Sequence, residues 1–353
     1  MDGTKIDRVP YILLLTASLV VVIAGLRAAA GIIVPFLISV FIAIISLPLQ
    51  NWLIARKIPR SLAVLSTLVA DILVLVALGF LVGTSVQGFA EKWPDYQSKL
   101  IAGIKFLIGW LNAHGASISS DSIVSIFKSG IALDIAKGAF GSVFSLLQNF
   151  VLVFLTILFV LSEAAGFTAK LERAIGHPMP KTARLDKIKR DIQQYLVVKT
   201  IVSLATGLLV GGMLALLGLD FPILWGLLAF LFNYVPSLGS IIAAVPAILL
   251  ALIQFGIGRA LLATAGYLAV NFILGNMLEP RLMGRRLGLS TLVVFLSLIF
   301  WGSLLGLIGM VLSIPLTMIL KLACESNEST RWLAVMLGPE PSTESIPPAA
   351  KKN

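Results

Sequence analysis

The feature that most constrains the fold is an uncharged run from residue 221 to 258, bounded by Asp220 and Arg259. A straight α-helix over this run would extend for roughly 57 Å at about 1.5 Å per residue. The hydrocarbon core of a bilayer is only about 30 Å thick. Polar and helix-breaking residues also occur at the centre of the run, in FNYVPSLGS (232–240). We therefore predict a helical hairpin that turns within this stretch.

The composition places the rest of the chain in a membrane as well. The 353 residues are 58% hydrophobic and 12% charged, whereas soluble domains are about half apolar and a quarter charged. We predict an all-α polytopic membrane protein with six spanning helices and two helical hairpins, or about eight transmembrane segments in the usual count. The six spans are expected in the runs 9–26, 28–55, 61–90, 138–162, 200–219 and 260–278.

The basic residues predict the topology. They cluster in short loops and in the segment 163–199, as the positive-inside pattern requires when both termini are cytoplasmic. The net charge of +10 is thus a topology signal and does not indicate a nucleic-acid partner. Asp220 then lies outside and Arg281 inside, so the hairpin 221–258 begins and ends outside. A second hairpin, 287–320, enters from the cytoplasm and is expected to turn within 300–306.

The same patterns divide the chain into four parts. Residues 1–85 are predicted to be N-terminal spanning helices, and residues 86–137 a small extracytoplasmic helical insert. Residues 138–325 form the transmembrane transport core, which includes the basic cytoplasmic segment 163–199. Residues 326–353 are a cytoplasmic tail, disordered in part because of its low hydrophobicity from Ser342 onward.

The two hairpins resemble each other in outline. Gly239 lies seven residues before Pro246 in the first, and Gly309 lies six residues before Pro315 in the second. Interrupted segments of opposite orientation are typical of transporters, which bind their solute near the bilayer midplane. An inverted repeat is therefore one hypothesis for this chain. Three glycines would allow close packing of the second hairpin: Gly302, Gly306 and Gly309.

The turn of the first hairpin is the candidate solute-binding site. Pro236 removes a backbone donor, and Gly239 permits a tight reversal. Asn233, Tyr234 and Ser237 add uncharged donors and acceptors, which suit a neutral hydroxylated solute better than an ion. The alternative is that these residues only stabilise a turn packed against neighbouring helices.

Two amides and one acid lie within predicted spans. Asn271 and Asn276 are candidates for substrate contacts, or for hydrogen bonds between helices. Asp71 interrupts the run 61–90 and is the ion-coupling candidate, because an acid at membrane depth is by default a functional hypothesis. The nearest basic residue within a span is Lys199. A local structural role for Asp71 is the alternative.

A charged cluster follows the last predicted span and is a candidate gate. We expect Pro280 to end the span, and Arg285 or Arg286 to pair with Glu279 and hold the second hairpin against it. The alternative is a topology anchor of the positive-inside kind. The gating candidates of this cluster are Glu279, Pro280, Arg281, Arg285 and Arg286.

Two stretches resemble a known family. WGLLAFLFNYVPSLGSIIAAVPAI (225–248) and the segment 275–317 are similar to the autoinducer-2 exporter (AI-2E) family of bacterial inner-membrane proteins, and the likeness extends over residues 10–325. This resemblance implies a multi-span transporter that exports autoinducer-2, a small polar signal. It also implies a homo-oligomer, a pentamer. Some members of the family resemble cation/proton antiporters.

Motifs for ATP binding and hydrolysis are absent from the sequence. It contains no GxxxxGK[ST], HExxH or GxSxG, so we predict no catalytic residue, no metal and no cofactor, and a protein that is not an enzyme. The expected partners are the bilayer and a small polar signal molecule. Two other functions stay open: a monovalent cation/proton antiporter that uses Asp71 and Glu279, and a non-transporting membrane scaffold that docks partners through residues 86–137.

Overall fold

The computed structural model describes residues 8–114, 150–175, 180–236, 238–283, 288–325 and 328–339. Within these ranges the chain is helical and contains no strand, which confirms the all-α class. The helices are α1 Arg8–Ala28, α2 Ala30–Ala55, α3 Arg60–Ala113, α4 Phe150–Ile175, α5 Pro180–Leu216, α6 Pro222–Phe232, α7 Gly239–Phe255, α8 Ile257–Val270, α9 Glu279–Met283, α10 Thr291–Val311, α11 Ser313–Glu325 and α12 Arg331–Met336.

Among the described residues, five helical stretches are long and apolar enough to cross a bilayer. They are Ala30–Ala55, Arg60–Trp110, Arg190–Leu216, Ile257–Met283 and Thr291–Val311. Shorter apolar helices accompany them at Thr16–Ala28, Val151–Glu163, Pro222–Phe232 and Gly239–Phe255. This pattern agrees with a polytopic protein that combines full spans with shorter hairpin arms.

The predicted domain boundary at residue 86 falls inside α3, which continues without a break to Ala113. The first part of the predicted insert is therefore an extension of this spanning helix. The polar residues after 86 changed the hydropathy of the chain but not its helical backbone, and even Pro94 lies within the helix. The rest of the insert and the tail from 342 lie outside the described residues.

The first hairpin is formed by α6 and α7, which pack against each other. Residues 233–236 and 238 between them leave the helical pattern, at the place the sequence predicts. The chain is so tight here that a Cβ on Gly239 would overlap the carbonyl oxygen of Phe232. Glycine is required at this position because the backbone itself occupies the space of a side chain.

The second hairpin turns at Gly306, whose φ of 67° and ψ of −149° interrupt α10. Only glycine adopts this combination without strain. Beyond it the chain runs back along itself, since Trp301 Nε1 donates a 3.0 Å hydrogen bond to Thr317 Oγ1. A Cβ on Gly309 would overlap the carbonyl oxygen of Trp301, which repeats the arrangement of the first hairpin. The predicted turn within 300–306 is confirmed.

The long helix α5 holds the first hairpin by direct backbone contact. A Cβ on Gly226 would lie 2.6 Å from the carbonyl oxygen of Gly207, and a Cβ on Gly207 would lie 2.7 Å from that of Gly226. Small residues of this kind let membrane helices approach closely. The same helix packs against α2, α8 and α9. It is therefore the element around which the candidate site is built.

A π-helical segment, Asn271–Leu278, joins α8 to α9. The wider turns of a π-helix change the direction in which later side chains point, and such segments are frequent at functional sites. The sequence predicts that Pro280 ends this helix. In the structure the helix does not end there, since an α-helical stretch continues to Met283. Proline is tolerated there because it lies in the first turn of the new α-helical stretch.

Candidate functional site

The turn of the first hairpin is bound to α5 by two side-chain hydrogen bonds. Asn233 Nδ2 donates to Ser203 Oγ over 3.0 Å, and Tyr234 donates its hydroxyl to Thr200 Oγ1 over 2.8 Å. Asn233 and Tyr234 are 7% and 6% exposed. An uncharged polar cluster is thus buried between the broken helix and an intact one, and we call Thr200, Ser203, Asn233 and Tyr234 the hinge cluster.

The direction of the hydrogen bonds leaves an acceptor on Tyr234. The hydroxyl of Thr200 donates to the carbonyl oxygen of Leu196 over 2.7 Å, so towards Tyr234 it can only accept. Tyr234 is therefore the donor, and its own oxygen keeps lone pairs for another group. A hydroxylated solute could use them.

Two aromatic rings fix the orientation of Tyr234. The rings of Phe41 and Phe230 each lie edge-on to it, with centroid separations of 5.7 Å. Such edge-to-face contacts are favourable and directional. Phe41 belongs to α2, so this helix also contacts the turn of the first hairpin.

A buried ion pair lies next to the hinge cluster. Lys199 Nζ is 2.7 Å from Glu279 Oε1 and 2.9 Å from Oε2, and the two side chains are 7% and 17% exposed. Lys199 directly precedes Thr200 on α5, while Glu279 is the first residue after the π-helical segment. The pair therefore joins α5, which carries part of the hinge cluster, to the end of the span Ile257–Met283.

The other members of the predicted gate are placed as follows. Arg285 and Arg286, which the sequence offers as partners of Glu279, lie outside the described residues. Pro280 and Arg281 are exposed. Among the described residues the Glu279 carboxylate is held by Lys199, so a cation for Glu279 comes from α5.

The predicted solute-contact residues occupy different environments. Pro236 is half-buried beside the hinge cluster, and Ser237 lies outside the described residues. Asn271 is half-buried, with its side-chain oxygen against Gly275 on the same helix. Asn276 is exposed. The structure thus brings Asn233 and Tyr234 together with α5, while Asn276 faces outward.

The two hinge-cluster residues that sequence reasoning missed, Thr200 and Ser203, are both on α5. Lys199, Ser203 and Thr206 are spaced by four and three residues, which places them on one face of the helix. All three are buried. This helical spacing of polar residues at the start of the uncharged run 200–219 was the sequence signal that could have identified them.

The structure also places the prolines and glycines of the two hairpins. Pro246 is half-buried, Gly302, Gly309 and Pro315 are buried, and Gly306 is exposed.

A second polar cluster fastens the extension of α3 to the start of the first hairpin. The carboxylate of Asp220 accepts hydrogen bonds from Tyr96 and from Lys92, the latter over 3.0 Å. Gln254 Oε1 accepts the backbone N–H of Asp220 over 3.2 Å. Partial burial alone would raise the pKa of Asp220, but the hydrogen bonds from Tyr96 and Lys92 outweigh it and lower that pKa below its usual value.

Metal binding finds no support in the described part of the chain. No group of three or more His, Cys, Asp or Glu side chains is close enough there to hold an ion.

The family and the relatives that match this chain are all described as transport proteins. The family model "AI-2E family transporter" matches residues 16–328. The "AI-2 transport protein TqsA" of Escherichia coli K12 is 38% identical over 326 residues, which cover 92% of this chain and 95% of that protein. The "Putative transport protein YhhT" of the same strain is 36% identical over 93% of this chain and 94% of its own. A "Putative transport protein" of Haemophilus influenzae is 38% identical, with coverages of 91% and 94%.

Proposed function

Because the chain belongs to the AI-2E family of transporters, we propose that it exports autoinducer-2, a small polar signal, across the bacterial inner membrane without ATP hydrolysis. The solute is moved unchanged, so the protein does not act as an enzyme. The proposed topology places both termini in the cytoplasm, and the proposed assembly is a homo-oligomer. One relative carries autoinducer-2 transport in its name, which supports the choice of solute.

The observation that carries this proposal is the hinge cluster. The side chains of Asn233 and Tyr234 in this turn are attached to α5 by an amide and a hydroxyl hydrogen bond. A neutral solute with several hydroxyl groups offers the same donors and acceptors, so it can replace these contacts one for one. Exchange of internal hydrogen bonds for bonds to a solute costs little net free energy, since each such bond contributes about 1 kcal/mol.

Gating follows from the same arrangement. When the solute occupies the hydrogen-bonding groups of the turn, the first hairpin is released from α5 and can change its tilt. The Lys199–Glu279 pair and the second hairpin stay in place and hold the inner half closed. Irregular backbone at membrane depth is tolerated where it is buried in protein or lines a cavity, and the turn of the first hairpin, with Asn233 and Tyr234 buried, meets that condition.

The test is efflux of autoinducer-2 from proteoliposomes that contain the purified protein. We expect Asn233→Ala to reduce the initial efflux rate about tenfold, the effect of losing about 1.4 kcal/mol. Asn276→Ala is the matched control, because it removes the same side chain from an exposed position of a long span. Equal efflux by both variants would contradict the assignment of the site.

A second candidate function is monovalent cation/proton antiport, and Asp71 is the observation that favours it. This acid lies within the long span of α3 and belongs to no ion pair among the described residues. Antiport predicts proton movement driven by a sodium gradient in the same vesicles and its loss in Asp71→Asn. Vesicles that move protons but not autoinducer-2 would favour this function over export.

A further inference from the structure

We propose that Asp71, Ser46 and Gln50 form a proton-binding site in which the Asp71 carboxyl group is protonated. This site is separate from the hinge cluster and goes beyond the proposed function, because its occupancy does not depend on whether a solute is moved. The proton is bound at Asp71 Oδ2, and the product is a neutral carboxylic acid.

The first argument is the hydrogen bonding of Asp71. Its Oδ1 accepts a 2.6 Å hydrogen bond from the hydroxyl of Ser46 on α2. Its Oδ2 is buried and has no hydrogen-bond partner. An ionised carboxylate spreads its charge over both oxygens, so one of them would be left with no compensation in a protein interior. A proton on Oδ2 removes this charge and turns an unpaired acceptor into a donor.

The second argument is an unpaired acceptor on a neighbouring side chain. Gln50 is 1% exposed, and its Nε2 donates to the carbonyl oxygen of Leu161 on α4 over 3.3 Å. Its Oε1 is buried and has no partner. Gln50 follows Ser46 by four residues, so both lie on the same face of α2. Buried unpaired acceptors are costly and rare, and a second one on the Ser46 face of α2 adds negative partial charge near the cluster, which disfavours the ionised form of Asp71.

The third argument is the surroundings of the cluster. The packed side chains of α2, α3 and α4 around it are apolar, among them Ala43, Leu68 and Ile157. Helix α2 contains no charged residue, and the described side chains of α4 include only Glu163 at its end. On α3 the nearest charge in sequence is Arg60, which donates to the carbonyl oxygen of Ser162 over 2.6 Å. No cation therefore faces Asp71 from these helices within the described residues.

The contrast with Glu279 makes the same point within one molecule. Both acids lie in long apolar spans, but Glu279 is held by the ammonium group of Lys199 at two short distances. An isolated charge in an apolar interior is far more costly than a neutral acid, and such groups bind a proton instead. Glu279 has the partner that an ionised acid needs, and Asp71 has only a hydroxyl.

Infrared difference spectroscopy of the full-length protein in lipid tests this proposal. The spectrum of the parent minus that of Asp71→Asn at neutral pH is expected to contain the C=O stretch of a protonated carboxylic acid. Glu91→Gln is the control, since it removes an exposed acid from the same helix and is expected to leave that band unchanged. A difference spectrum with carboxylate bands alone would overturn the proposal.

Two further measurements test the geometry and the ligand. Ser46→Ala removes the donor to Oδ1, so the same band is expected to move to higher frequency; a band that stays at the parent frequency contradicts this assignment. Addition of sodium at constant pH is expected to leave the band in place. Its disappearance would identify a site where sodium replaces the proton, and the proton-only site would be wrong.

Discussion

The pair of Lys199 and Glu279 shows how single residues determine the architecture of the site. The two side chains are 80 positions apart in sequence. They meet because α5 packs against the end of the span Ile257–Met283. The carboxylate receives two short contacts from one ammonium group. Because both side chains are largely buried, the stability of the fold is sensitive to the loss of either partner.

We expect Glu279→Gln to lower the free energy of unfolding by about 3–5 kcal/mol, because Lys199 would remain buried without its counter-ion. The double variant Lys199→Met, Glu279→Met removes both charges and is expected to recover most of this loss. Thermal unfolding in detergent measures both effects. A double variant no more stable than the single one would show that the pair does not act as a unit.

Asp220 gives the prediction about pH. Its pKa is lowered in the folded protein, so its contacts stabilise the protein above the unfolded pKa of about 3.9. This contribution disappears as the pH falls through the lower, folded pKa. The melting temperature of the parent is expected to exceed that of Asp220→Asn at pH 7 and to approach it at pH 3. A difference that persists unchanged at pH 3 would contradict the role of the carboxylate.

At the scale of helices, the two hairpins share one structural solution. In each, a glycine at the start of the returning arm lies against a backbone carbonyl of the incoming arm: Gly239 against Phe232, and Gly309 against Trp301. A methyl group at either position meets backbone, which cannot move aside as a flexible side chain does. The repetition of this contact supports the inverted-repeat hypothesis, which stays a prediction.

Gly309→Ala is therefore expected to open the second hairpin and to destabilise the protein by about 1–3 kcal/mol or more. Gly258→Ala is the control, because a Cβ there has no neighbour within 4 Å and alanine favours a helix. The melting temperatures of the two variants measure the difference. Equal melting temperatures would show that the close contact does not determine the turn.

The two hairpins could be predicted from the sequence because they follow from the lengths of the uncharged runs 221–258 and 287–320. A run of uncharged residues too long for one span and too short for two must turn, and the turn occurs where proline and glycine permit it. The partner of Glu279 could not be predicted in this way. The pairing depends on the π-helical segment before Glu279, and the sequence of that segment, NFILGNML, does not signal a change of helix type. The same segment explains why Asn271 and Asn276 could not be assigned to a face in advance.

The position of Asn233 and Tyr234 at a helix break could be predicted, but their hydrogen-bond partners could not. Their position in a broken helix marked them as polar groups at depth, but their partners Thr200 and Ser203 come from a different span. Only the packing of Gly207 against Gly226 brings these helices close enough for side-chain hydrogen bonds. Long-range pairing of this kind depends on the shape of two helices together, which a single helical pattern does not contain.

At the scale of the whole molecule, two sites of different chemistry are linked by α2. One face of this helix carries Ser46 and Gln50 of the proposed proton site. Further along it, Phe41 contacts Tyr234 of the hinge cluster. Helix α2 thus contacts both the proposed proton site and the turn of the first hairpin. Lys92 and Tyr96 hold Asp220 at the start of that hairpin.

The central claim is that the first hairpin must separate from α5 for the solute to pass. Ser203 and Asn233 are in hydrogen-bond contact, and the only cysteine of the chain is Cys324. We would therefore introduce Ser203→Cys and Asn233→Cys into a Cys324→Ser background and join the two thiols with a short, reducible cross-linker. Each single-cysteine variant, treated with the same reagent, is the control for modification alone.

The decisive measurement is efflux of autoinducer-2 from proteoliposomes before cross-linking, after it, and after reduction. The account predicts that cross-linking abolishes efflux and that reduction restores the rate seen before cross-linking. Efflux that continues at that rate while the hairpin is covalently attached to α5 would contradict the claim that this hairpin is the gate.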